Sequence, residues 1–127
     1  MKKNDKANTV EIVGASTEET IRSLTFIGNI TDEQIAQFKA QHRKVYRIDI
    51  VEGNETHIGY FKRPDFATIK AVTKISKTDE VEAGKVIFKN CWLGGSEWLE
   101  KDAVLFMAVQ VQLGKLLNGC IGSIKNL

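Results

Sequence analysis

Apolar residues recur along the chain with periods of about two and about 3.6, and the switches between the two periods mark out its elements. The first firm signal is at Ile30 to Ile35. Thr31 and Gln34 stand at capping-box spacing, and Ile30 and Ile35 at the spacing of a hydrophobic staple. They predict a helix over Asp32–Gln41 with Ile35 and Phe38 on a narrow apolar side. Val45 to Val51 then alternates, with Tyr46, Ile48 and Ile50 on one face and Arg47 and Asp49 on the other. Gly53-Asn54 turns the chain and Thr56 to Lys62 returns with Ile58, Tyr60 and Phe61, which together read as a β-hairpin. Pro64 fits the first turn of a second helix and Asp65 its positive end, with Phe66, Ile69, Val72 and Ile75 as the apolar side. Asp79 and Glu82 start a third helix, in which Val81, Phe88 and Trp92 form one apolar side and Ala83, Val86, Ile87 and Cys91 a second. Gly94-Gly95 is read as its end, in the left-handed conformation that glycine tolerates.

The last helix, Asp102 to Leu117 with Ser96 and Asp102 as successive cap candidates, is the most apolar part of the chain. Leu105, Phe106, Val109, Leu113, Leu116 and Leu117 make one broad face, as a core-facing helix requires. Val104, Met107 and Val111 form a separate stripe. A helix with two apolar sides has to be covered on both, by its own domain or by another chain. The elements add up to an α+β fold: a mostly helical small domain over residues 30–127 with one β-hairpin and about four helices. Residues 1–29 read as an N-terminal arm. Within it, residues 1–8 are polar and expected to be disordered, and Thr9 to Val13 alternates as a weak strand closed by Gly14. Ala15 to Asn29 has no clear period, and Leu24, Phe26 and Ile27 are anchors for ordering against a neighbour.

Composition narrows the function classes. A chain of 127 residues suits one domain burying roughly two-thirds of its unfolded surface, and 43% hydrophobic with 27% charged residues is ordinary for such a domain. A formal charge of +2 is too small to argue for a nucleic-acid partner. Lys2, Lys3 and Lys6 are followed by no apolar stretch, against a secretory signal, and the apolar run Ala103 to Val109 is too short to span a bilayer. Cys91 and Cys120 have no C-x-x-C partner and no His at ligand spacing, so they are expected to be reduced thiols. Arg43, Lys44, Lys62 and Arg63 gather at the base of the hairpin, and Lys70, Lys74 and Lys77 line a helix without aromatic or Arg/Asn base readers beside them. The hairpin cluster would suit phosphate or an acidic partner, but at this charge density both groups read first as solvated charge.

Catalysis would need a nucleophile, a base and an orienting group, or a metal shell. His42 closes the first helix, where it suits the dipole. His57 is placed on the outward or edge side of its strand without a carboxylate partner. Glu97 and Glu100 are surface residues beside a helix start, and Gly94-Gly95 sits in no phosphate-binding loop. The expectation is therefore no catalytic residue, no cofactor and no metal. Val104, Met107 and Val111, with Trp92 and Trp98 flanking the glycine joint, are the candidate protein-interaction residues.

The order of elements, with Tyr60-Phe61-Lys62-Arg63-Pro64 and Trp92-Leu93-Gly94-Gly95 as the best-matching pieces, resembles the tail assembly chaperones of long-tailed bacteriophages and prophages. The likeness runs from about Ile30 to Leu117. Ser96 stands where an acidic residue is more usual, a departure expected to touch a helix cap. The resemblance implies a non-enzymatic protein of the bacterial cytoplasm that binds the tape measure protein, self-associates along it, and is absent from the mature virion. Chaperones of this type are often also made as a frameshifted longer product, whose signal lies in DNA. The alternative from another class is a phage structural component, a head–tail connector or tail completion protein.

Overall fold

The computed structural model describes residues 7–11 and 23–127, with side chains from Leu24 onward. Two strands, β1 (Ala7–Glu11) and β2 (Ser23–Ile27), precede the helix α1 (Asp32–Gln41) and the hairpin β3 (Val45–Glu52) and β4 (Glu55–Lys62). Then come α2 (Phe66–Ser76), α3 (Glu80–Cys91), the short strand β5 (Trp92–Gly95), the single turn α4 (Trp98–Lys101) and α5 (Ala103–Leu117). The class is α+β, as the periodicities indicate.

The hairpin is present, but it belongs to a larger sheet in which β4 is interior and β3 is the edge. β4 is antiparallel to β3 along its whole length, from Val45 opposite Lys62 to Glu52 opposite Glu55. Its other edge is shared. β2 runs parallel beside Glu55 to His57, and β5 runs antiparallel beside Gly59 to Phe61. β1 pairs antiparallel with β2, giving the order β1-β2-β4-β3 with β5 against β4. The expected arm thus divides: its segments Ala7–Glu11 and Ser23–Ile27 belong to the sheet, and residues 1–6 and 12–22, with the strand end expected at Gly14, lie outside the described residues.

β5 corrects one reading of the glycines. α3 ends at Cys91, and Trp92 is already extended at φ −66 and ψ 130, so Gly94-Gly95 is strand and not a helix cap. Gly95, at φ +137, is pressed against the Ile58 carbonyl and the Gly59 Cα, leaving no space for a side chain. Gly28, at φ +103, meets the same carbonyl and the Ser96 amide.

Four caps set the helices. Thr31 and Gln34 exchange both bonds of the box, at 3.0 and 3.1 Å. Asp65, Asp79 and Asp102 each accept from a backbone N–H in the first turn that follows. Asp65 is thus the cap itself and Pro64 precedes the helix, a correction to the first-turn placement. Neither does Ser96 act as a cap; its hydroxyl is turned into the domain.

The core lies between one face of the hairpin and the helices α3, α4 and α5. Ile48, Ile50 and Phe61 from the sheet meet Ile87, Phe88, Cys91, Leu99, Leu105, Phe106, Val109 and Leu113. Phe88 centres an aromatic group, edge-on to Phe61 at 5.3 Å and stacked on Trp92 at 5.1 Å. Gly59 makes room there: a Cβ would come within 2.7 Å of Leu99 Cδ1 and 2.8 Å of Phe61 Cε1. α2 packs on α3 and reaches the core only through its margin at Val72. Its stripe of Phe66, Ile69, Val72 and Ile75 is accordingly half outward, and Phe66 is 91% exposed. Among the described residues no helix is long and apolar enough to cross a membrane.

Candidate functional site: an apolar helix face and a histidine cluster

α5 has the two sides that its sequence dictates. Leu105, Phe106, Val109 and Leu113 are buried, whereas Val104, Met107 and Val111 stand 72%, 53% and 61% exposed. Leu117, assigned by periodicity to the core face, is exposed instead, while its neighbour Leu116 packs against the core and occupies the inward side of the last turn. Beside the exposed stripe a groove of about 750 Å³ runs between α3 and α5. Val81, Phe88, Phe106 and Met107 supply its apolar lining, and Lys85, Lys89 and Lys101 border it. Val81 is itself half exposed, so the apolar surface continues from α5 onto α3.

The two tryptophans have different places. Trp92 is half-buried, stacked on Phe88 and edge-on to Phe61 at 5.4 Å, and serves as a wall of the core. Trp98 is half exposed and lines a depression of about 310 Å³ with Ile27, His57 and Asp102. The basic residues Arg43, Lys44 and Arg63 are exposed at the end of the hairpin where Val45 pairs with Lys62. The fold gives that end no second charged partner among the ion pairs of the described residues.

His57 is not on the outward side of its strand. It pairs with Ile50 on the core face and is only 3% exposed. Its Nδ1 lies 2.8 Å from the Ser96 Oγ, and its Nε2 lies 3.2 Å from Glu55 Oε1. Glu52, directly across the hairpin from Glu55, completes a group whose ligand atoms all lie within 4.8 Å of one another. Serine, imidazole and carboxylate are therefore aligned, but Ser96 is 2% exposed and its hydroxyl faces the histidine from inside the fold. Such a serine is a positioning contact for the ring and lacks the open side that an attacking nucleophile requires.

Alternation alone carried part of this signal. Glu55 and His57 are two apart in a strand and so share a face, and a two-residue turn brings Glu52 opposite. Ser96 was beyond reach, since only the pairing of β5 with β4 brings it to residue 57. Cys91 is buried as well, and burial pushes its thiol up to about 11. Cys120 is an exposed free thiol.

No protein-family model matches the chain, and no curated protein does. A solved structure of an uncharacterised protein, rbstp2171 from Bacillus stearothermophilus, matches with a TM-score of 0.54 and 19% identity. The match covers 72% of this chain and 99% of that one. At that identity the two share a fold.

Proposed function

We propose that the chain is a non-enzymatic assembly chaperone for phage tails, acting in the host cytoplasm by binding the tape measure protein and associating with copies of itself. The observation that carries the proposal is the exposed stripe Val104, Met107 and Val111, set beside an apolar groove on a helix whose opposite face already fills the core. An elongated helical client and a neighbouring copy each need such a surface. The sequence resemblance adds support from an independent direction. Its two best-matching pieces are partners in space, with Tyr60 opposite Gly94 and Phe61 opposite Trp92.

The test is co-expression with a phage tape measure protein as the client. The wild-type chain is expected to co-purify with that client and to sediment above the monomer. The double variant Val104→Asp/Val111→Lys is expected to do neither while melting at the wild-type temperature. A chain that remains monomeric and client-free at every concentration would sink the proposal. So would its recovery in stoichiometric amounts from purified virions, the mark of a connector or tail completion protein.

A further inference from the structure

The turn end of the hairpin places two carboxylates directly opposite each other, Glu52 on β3 and Glu55 on β4. Like charges in that position repel, and nothing in a two-residue turn requires them. A buried imidazole is aimed between them. His57 is held on its far side by Ser96, 2.8 Å from Nδ1, and its Nε2 faces Glu55; a cation would replace the Nε2 proton that bonds Glu55, with Nδ1–H donating to the serine oxygen. The spacing suits an ion. Bonds of about 2.1 Å hold adjacent ligand atoms about 3–3.5 Å apart. The separation of His57 Nε2 and Glu55 Oε1 is already 3.2 Å. Glu52 is exposed, and its oxygen lies within 4.8 Å of the other two, so a rotamer change closes the set. The depression beside it, shared with Trp98 and Asp102, leaves room for a water or an outside group in the remaining position.

We propose that Glu52, Glu55 and His57 bind one divalent transition-metal cation, with zinc as the type, at the turn end of the β3–β4 hairpin. One nitrogen and two carboxylate oxygens are a ligand set that imidazole biases toward zinc and its neighbours and away from magnesium. Ser96 orients the ring, as hydrogen-bonded partners of metal-binding histidines do. The cation offsets the Glu52–Glu55 repulsion and ties β3 to β4 at the point where β2 joins the sheet. This site shares no residue with the exposed stripe of α5, and stands or falls independently of the chaperone reading.

The experiment uses the full chain carrying Cys120→Ser, which removes the exposed thiol as a competing ligand. Zinc is titrated calorimetrically, and cobalt is used to read ligand-field absorption. Zinc is expected to bind at one equivalent and to raise the melting temperature, magnesium to do neither. Glu52→Gln, an exposed substitution that relieves repulsion, is expected to leave the metal-free melting temperature equal or higher and to weaken zinc by at least about tenfold; Ser96→Ala is expected to weaken it by about 10–100-fold. Absence of zinc binding at millimolar concentration would overturn the proposal and leave His57–Glu55 a plain ion pair. Binding that persists unchanged in both Glu52→Gln and Glu55→Gln would overturn it equally.

Discussion

Single side chains in this fold are decided by what lies within a few ångströms of them. The Nε2 of Gln110 is buried on α5 without a hydrogen-bond partner, and its side chain packs where Gly84 of α3 has none. An unmade bond of that kind costs about 1–3 kcal/mol. Gln110→Met, similar in length and without the orphan amide, is therefore expected to melt at the wild-type temperature or above it. Gly59 is the opposite case, a position with no slack. Gly59→Ala pushes a methyl into Leu99 and Phe61 and is expected to cost about 1–3 kcal/mol in denaturant titration, the usual penalty of overpacking. The two thiols separate on burial. At pH 8 a disulfide reagent should titrate Cys120 at once and Cys91 only after denaturation, because Cys91 is fully buried and its pKa of about 11 keeps it protonated there. Prompt reaction of both thiols in the native protein would show that α3 opens readily.

At the scale of elements, α5 and β4 organise the molecule in different ways. α5 carries a core side and an exposed side, and substitutions on them should diverge. Leu113→Ala removes a fully buried side chain and is expected to cost about 2–5 kcal/mol. Val104→Asp/Val111→Lys changes only exposed positions and is expected to stay within about 0.5 kcal/mol per site. If the double variant unfolds, the stripe belongs to the core. β4 is the strand that β2, β3 and β5 all pair with, and half of its second edge is β2. Deleting residues 1–28 removes that partner along with Gly28, and leaves the backbone of Glu55 to His57 without its sheet neighbour. The truncated chain is expected to lose its cooperative melt or to aggregate. A sharp transition at the full-length temperature would show that β1 and β2 are dispensable.

For the molecule as a whole, the consequence is an asymmetric domain. One sheet face, α3, α4 and α5 share a single core, while apolar residues remain outside it on α2, α3 and α5 at Phe66, Val81, Val104, Met107 and Val111. Such a surface favours association, and the proposed self-association predicts that any sedimentation above the monomer weakens when α5 alone is altered. Features that depend on near neighbours are legible in the chain. The caps at Thr31, Asp79 and Asp102, the hairpin register and the two-sided character of α5 all follow from residues one to four positions apart, where periodicity and side-chain chemistry act directly. Tertiary structure decided what depends on distant segments. Gly94 and Gly95 disfavour a strand, and Trp92-Leu93-Gly94-Gly95 becomes one because β4 offers an open edge; Ser23–Ile27 carries the strand formers Thr25, Phe26 and Ile27, but its partner on the other half of that edge is set only by the fold. The same pairing carries Ser96 to His57 across 39 residues, turning a surface histidine of the sequence into the buried centre of the one cluster of potential ligands among the described residues. Backbone hydrogen bonds at a strand edge are indifferent to side-chain identity, so the choice of which segment fills that edge is made by the assembled sheet and leaves no local mark in the chain.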